Sequence, residues 1–242
     1  MSKKNILVTG SKGFIGKNLI KELSAYNVYE FHRQSSLNKL SNYICDIDFI
    51  FHLAGEVRPN STKEEFEKSN VGFTKSLIKI IEKKGLKIPI LVSSSIHAQN
   101  PKNDYGITKQ IEDNLIINYA KKNGVNVFIY RLPHLFGEGC KANYNSAITT
   151  WIYNSINNLP INIYSRDIPM QYTYVKDFVR DAIEKIDSNE NDIFYSPNII
   201  YNTTLGEVYD RILSLKEKTY TLDSDFMKKL QHVYSWYKKQ NK

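Results

Sequence analysis

Asn5-Ile6-Leu7-Val8-Thr9-Gly10-Ser11-Lys12-Gly13-Phe14-Ile15-Gly16 is an apolar β-type run, a glycine-rich turn and the start of a helix. The glycines recur every third residue, and each has a separate task. Gly10 lets the chain turn sharply off the strand, Gly13 lets backbone approach a pyrophosphate, and Gly16 lets the helix lie close to the strand. Free N–H groups at the helix N-terminus then favour a bound anion. A tight βα turn in any α/β protein can use glycines in this way, so the context decides. A strand precedes, and Phe14, Ile15, Leu19, Ile20 and Leu23 mark an amphipathic helix after it. The stretch predicts a dinucleotide-binding strand-turn-helix.

Working outward, 242 residues suffice for one large α/β domain, or a Rossmann core with a small extra lobe. With 41% hydrophobic residues the chain can bury a core. No apolar run reaches the roughly 18 residues of a membrane span. The first strand begins so early that a signal peptide does not fit before it, which predicts a cytoplasmic protein. Cys45 and Cys140 are too few for a metal site or a disulfide framework. The net charge of +8 comes from scattered lysine pairs among acidic residues, with no basic stripe interleaved with aromatics. That predicts a solvated surface which attracts anionic small molecules and argues against a nucleic-acid partner.

Asn27-Val28-Tyr29-Glu30-Phe31 reads as the second strand, ending in His32-Arg33. A carboxylate at this strand end would hold the 2′-hydroxyl of NAD, whereas an arginine pairs with the 2′-phosphate of NADP. Arg33, with Lys12, therefore argues for NADPH; the alternative is a plain loop arginine. Only a short helical segment, residues 36–43, separates this strand from Asp48-Phe49-Ile50-Phe51-His52-Leu53-Ala54-Gly55, so one strand and its crossover are compressed or missing. His52 has no partner at metal-ligand spacing and reads as a packed strand histidine. A helical pattern covers residues 63–84 and contains Asn70. Residues 88–92 form the next strand and deliver Ser93-Ser94-Ser95 to its C-terminal edge, where open α/β sheets bind ligands.

Ten residues after Ser95 comes Tyr105-Gly106-Ile107-Thr108-Lys109, opening a helix through Ile111, Leu115 and Tyr119. The same Tyr-x-x-x-Lys spacing occurs at Tyr172–Lys176 and Tyr234–Lys238, so spacing alone decides nothing. Only Tyr105 follows a strand-end serine run, with its lysine one turn further along a helix. Reducing a ketone builds negative charge on its oxygen, which needs hydrogen-bond donors and then a proton. A phenol with a reference pKa of about 10 needs a nearby ammonium to become a ready exchanger.

Thr-Gly-x-x-Gly-x-x-Gly, His52-Leu53-Ala54-Gly55, Ser69-Asn70-Val71-Gly72, the serine triplet with Tyr105 and Lys109, and Arg131-Leu132-Pro133-His134-Leu135-Phe136-Gly137 resemble the extended, nucleotide-sugar-modifying branch of the short-chain dehydrogenase/reductase superfamily. Within it, Phe31-His32-Arg33-Gln34, Asn143-Tyr144-Asn145-Ser146 and Thr204-Leu205-Gly206-Glu207 resemble the reductase half of bifunctional capsule-biosynthesis enzymes. Those enzymes epimerise C3 and reduce C4 of UDP-2-acetamido-2,6-dideoxy-4-hexuloses, and continue into a cupin domain that carries the epimerase; the sequence stops before such a domain, so either the epimerase is a separate protein or the chain has been cut.

The resemblance implies a Rossmann-type doubly wound parallel sheet, residues 1–135, with a small C-terminal substrate-binding lobe in 136–242, interleaved as one compact unit. It implies Tyr105 as acid, Lys109 as its tuner and Ser95 as second donor. The implied cofactor set is Gly10, Lys12, Gly13, Phe14, Ile15, Gly16, His32, Arg33, Leu53, Ala54, Gly55, Asn70, Ser93, Tyr105, Lys109, Arg131 and Pro133. The implied sugar-nucleotide set is Ser95, Ile96, His97, His134, Asn145, Ser146 and Arg166, with His134 standing where the branch usually has asparagine. The expected activity is NADPH-dependent reduction of a nucleotide-activated 6-deoxy-4-hexulose. The expected state is a homodimer, with a separate epimerase acting upstream. A 4-epimerase that keeps NAD bound and a silent NADP(H)-binding regulator are the rival readings.

Overall fold

The computed structural model describes residues 3–240. Strand β1 (Asn5–Thr9) runs into helix α1 (Phe14–Glu22), then β2 (Asn27–Phe31), α2 (Leu37–Tyr43) and β3 (Phe49–His52). Next come α3 (Lys63–Phe66), α4 (Phe73–Lys83), β4 (Ile90–Ser95), α5 (Asp104–Asn123), β5 (Val127–Leu132) and β6 (His134–Phe136). The remainder is α6 (Ala147–Ile156), β7 (Pro169–Tyr174), α7 (Val175–Glu184), β8 (Phe194–Tyr195), β9 (Tyr201–Thr204), α8 (Leu205–Glu217) and α9 (Asp225–Gln240).

The chain divides into two compact units, Met1–Leu132 with Val179–Pro197, and Pro133–Phe178 with Asn198–Lys242. The first holds a parallel six-stranded sheet in the order β2-β1-β3-β4-β5-β8. Its central strands are apolar on both faces, as helix-covered parallel strands must be; Ile6, Leu7 and Val8 of β1 are all fully buried. Leu7, Ile50, Ile90 and Ile129 pack under Leu77, Ile81 and Ile116 of the helices. β1 pairs with β2 on one side and β3 on the other, so the order reverses there and opens a crevice at the strands' C-terminal ends. Among the described residues β2 is the sheet's edge, because α2 and a single turn at Ile44–Asp46 replace the outer strand.

The second unit carries the sheet β6-β7-β9, parallel then antiparallel. Phe136, Ile152, Tyr172, Ile212, Phe226 and Leu230 form its core. Phe226, Leu230 and Val233 of α9 are buried against this core, and Lys229 pairs with Asp177 and, at 2.9 Å, with Asp225.

Two helices differ from their sequence patterns. The predicted helix of 63–84 is interrupted by a π-helical stretch, Glu67–Gly72, that accommodates buried Asn70. The first half of α5 turns its polar side inward: Thr108, Lys109, Glu112 and Asp113 are buried, while Ile107 and Ile111 are 44% and 39% exposed; further along the helix Ile116 and Tyr119 are buried as usual. The apolar residues that marked this helix in the sequence are therefore partly on its outside.

Candidate active site

The glycine turn is forced by crowding as much as by conformation. Gly10 has φ +69, and a Cβ there would lie 2.7 Å from the Leu53 carbonyl oxygen. A Cβ on Gly16 would lie 2.4 Å from the Gly10 oxygen, so only glycine lets α1 approach the turn. Gly13 N–H donates to the Gly10 oxygen at 2.8 Å and Ser11 N–H to the Phe31 oxygen at 3.2 Å. α1 has no side-chain N-cap and no acid in its first turn, and the buried Ser11 Oγ lacks a hydrogen-bond partner. An uncapped helix end, a glycine cradle and an orphaned hydroxyl fit the phosphates of a dinucleotide.

Leu53, Ala54 and Gly55 leave β3 beside this turn, with Leu53 N–H and Ala54 N–H donating to Thr9 Oγ1 at 3.2 and 3.3 Å. The Gly55 end is held by Asn70, whose Oδ1 accepts from Glu56 N–H at 2.7 Å and whose Nδ2 donates to Thr108 Oγ1 at 3.2 Å. Asn70 thus shapes the ledge through its backbone contacts.

His32 and Arg33 follow β2. Arg33 Nη2 lies 3.1 Å from Glu56 Oε2, yet the arginine side chain remains 76% exposed. Glu56 is buried and also accepts from Arg58 Nη2 at 2.8 Å. Burial alone would raise its pKa, but the Arg58 side chain and the Arg58 and Val57 N–H groups bring it down to about 2. Sequence reasoning missed Glu56 and Arg58; their only signal was two charged residues on either side of Val57, directly after the His-Leu-Ala-Gly strand end.

Ser93 and Ser95 end β4, and Ser95 Oγ accepts from His97 N–H at 3.2 Å in the turn Ile96–Ala98. Tyr105 lies in the first turn of α5, its ring 6.1 Å from that of His97 and 5.9 Å from that of Phe66. Lys109, one turn on, donates to the Ser93 carbonyl at 2.7 Å and to the Glu112 carboxylate. Burial opposes its charge, but Glu112, Tyr105 and Asp113 hold its pKa above that of an ordinary lysine. Arg131, at the end of β5, stacks over Phe194 with its Nε 3.5 Å from Asp113 Oδ2. The first unit therefore gathers the glycine cradle, the β3 ledge and the Ser-Tyr-Lys set on one sheet edge.

The rival tyrosines lie elsewhere. Tyr172 is buried in the second unit's core, its phenol pushed up by burial, while Lys176 pairs with Glu138 at 2.7 Å. Tyr234 is buried against Ser155 Oγ at 3.4 Å. Pro133, His134, Asn145, Ser146 and Arg166 also belong to the second unit. Ser146 caps α6, accepting from Thr149 N–H at 3.3 Å, and exposed Asn145 precedes it. Arg166 pairs with Asp210 at 2.5 Å and lies over Tyr209.

An open parallel sheet with a glycine cradle at its switch point, next to a strand-end serine and a helical Tyr-x-x-x-Lys, defines the class of Rossmann-type short-chain dehydrogenase/reductase proteins. Within that class the chain belongs to the NAD dependent epimerase/dehydratase family, whose sequence profile matches residues 6–194. It is 34% identical over 223 residues to the UDP-2-acetamido-2,6-beta-L-arabino-hexul-4-ose reductase of Pseudomonas aeruginosa, covering 90% of this chain and 59% of that one. The capsular polysaccharide assembling protein CapF of Staphylococcus aureus is 37% identical with a TM-score of 0.83, over 96% of this chain and 65% of that chain. The UDP-glucose 4-epimerase of Thermotoga maritima shares the fold at 16% identity and a TM-score of 0.86, over 98% and 100% of the two chains. The chain thus spans about three fifths of the Pseudomonas enzyme's length. No described helix is long and apolar enough to cross a membrane.

Proposed function

We propose that this chain uses NADPH to reduce the C4 ketone of a nucleotide-activated 6-deoxy-4-hexulose, of the UDP-2-acetamido-2,6-dideoxy type, for capsule or O-antigen synthesis. The observation that carries the reading is Tyr105 one helical turn from a buried Lys109 which is itself tied to Ser93 on β4. A catalytically silent binder has no need of that set.

Bound in the cradle of Gly10, Gly13 and Gly16, the cofactor supplies the hydride. Arg33 and Lys12 would hold its 2′-phosphate and Lys109 its nicotinamide ribose. As the ketone oxygen gains charge, Ser95 donates a hydrogen bond to it and Tyr105 donates the proton, with the Lys109 ammonium favouring the phenolate left behind. His134, Asn145, Ser146 and Arg166 are proposed to meet the sugar nucleotide. A reductase of this kind works in the cytoplasm, where nucleotide sugars are made, and an epimerase acting earlier would supply its substrate.

The test is NADPH oxidation across a panel of UDP- and dTDP-4-keto-6-deoxyhexoses. Turnover of a UDP-2-acetamido member is the expected result. Tight NADPH binding with no turnover of any member would leave the silent-binder reading standing instead.

A further inference from the structure

Beneath the Ser-Tyr-Lys set lies a buried polar chain that the proposed reaction does not use. His52 on β3, Thr74 on α4 and Glu112 on α5 are all fully buried. Thr9 Oγ1 stands 2.9 Å from His52 Nδ1, and His52 Nε2 stands 2.8 Å from Thr74 Oγ1 and 3.4 Å from Glu112 Oε1. Thr74 Oγ1 is also 3.1 Å from Glu112 Oε1, and the other carboxylate oxygen takes Lys109. Thr9 Oγ1 already accepts from two backbone N–H groups, so its own proton is free for His52 Nδ1, which leaves the ring proton on Nε2. His52 Nε2–H and the Lys109 ammonium then point towards Glu112, the arrangement of an ionised carboxylate, while the Thr74 hydroxyl divides its one proton between Glu112 and the Asn70 carbonyl oxygen at 2.7 Å. Burial works against that charge, but Lys109 and His52 hold the Glu112 pKa below the usual range.

Tyr105, Lys109 and Glu112 follow at i, i+4 and i+7, so one face of α5 presents all three. An isolated buried ammonium is costly and sheds its proton, by as much as about 3–5 pH units in fully buried cases. Lys109 therefore needs a counter-charge to stay ionised in a buried site. From α5 it faces Tyr105, Glu112 and Asp113, and from β4 the Ser93 carbonyl. Asp113 is poorly suited to the task, since burial raises its own pKa and Arg131 stands beside it.

We propose that Glu112 is the positioning residue of this site: anchored by Thr74 and His52, its carboxylate keeps the Lys109 ammonium charged and aimed past Ser93 towards Tyr105. The inference rests on the reductase reading for its kinetic test but not for its binding test.

The experiment follows kcat, KM for the sugar and NADPH affinity against pH in the wild type, Glu112→Gln and Glu112→Asp. Glu112→Gln keeps the shape and removes the charge, so the alkaline fall of kcat should begin about one pH unit or more lower, with KM little changed. Glu112→Asp keeps the charge one methylene short, so its alkaline limb should stay in place while kcat drops. A purely structural glutamate would move neither limb selectively. An unmoved limb in Glu112→Gln overturns the proposal. Should that variant not fold, a wild-type kcat in Glu112→Asp does the same. If the wild type reduces none of the sugars, the reductase reading fails alone, and NADPH affinity decides the inference. That affinity should then weaken at lower pH in Glu112→Gln than in wild type, and identical profiles overturn it. A wild type that binds no dinucleotide overturns both.

Discussion

At the scale of single residues, the chemistry turns on which hydroxyl can reach a buried ammonium. Tyr172 and Tyr234 share the spacing of Tyr105, but their phenols are packed in the second unit's core. Tyr105→Phe removes one hydroxyl and keeps the ring, so NADPH affinity should persist while turnover falls by roughly 10²–10⁴-fold. Near-normal turnover in that variant would falsify the proposed proton donor. Arg33 carries the cofactor choice. Arg33→Ala should weaken NADPH by about 1.5–3 kcal/mol and leave NADH nearly unchanged, because only the former offers a charged partner. Fluorescence titration of both cofactors reads this, and equal wild-type affinities would remove the basis for NADPH. Glu56 links residue chemistry to stability. A carboxyl whose folded pKa lies below its unfolded value adds stability above the unfolded pKa, and loses it as pH falls through the folded one. With Glu56 at about 2 against an ordinary 4.5, its contribution is about 3 kcal/mol at neutral pH. It should fade between about pH 4.5 and 2. Denaturant melts should show Glu56→Gln less stable at pH 7, with a shallower loss towards acid.

At the scale of elements, the glycine turn and α1 act as one piece. Gly16→Ala places a methyl against the Gly10 backbone oxygen, which cannot rotate away, so α1 must shift off the turn. Overpacking of this kind costs about 1–3 kcal/mol. A calorimetric melt should show that loss together with weakened dinucleotide binding. Gly85→Ala is the matched control: its φ is +66 but nothing lies within 4 Å, so conformational strain alone should remain and binding should not change. The π-helical stretch at Glu67–Gly72 belongs to this scale as well. It sets Asn70 against Glu56 N–H, so the shape of the ledge depends on one extra residue in a helical turn.

At the scale of the molecule, the inverted first half of α5 explains two things together. Its polar residues face inward to build the site, which leaves Ile107 and Ile111 on the outside. We propose that a second copy covers them through α4 and α5 about a two-fold axis, giving a homodimer. Sedimentation should show a dimer, and Ile111→Lys should shift it towards monomer. A wild-type monomer at micromolar concentration would count against the pairing.

The strand-turn-helix at residues 5–16, the parallel apolar strands and the absent outer strand were legible in the sequence, because backbone geometry and burial on both faces dictate those patterns locally. That the serine run and Tyr105 with Lys109 share one sheet edge could be read too, since a strand end followed by a helix start fixes where those side chains emerge; the choice of Ser95 within the run came from the family resemblance. Glu112, Glu56 and the path through His52 and Thr74 were not legible. Glu112 meets Thr74 and His52, 38 and 60 residues away, and Glu56 meets Arg33, 23 residues away, in elements that come together only on folding; in the sequence a buried carboxylate looks like any surface acid. His52 read correctly as a packed histidine, but its partners were invisible. The exposure of Ile107 and Ile111 was equally hidden, because periodicity reports that a helix has two faces, and only tertiary packing decides which one turns inward.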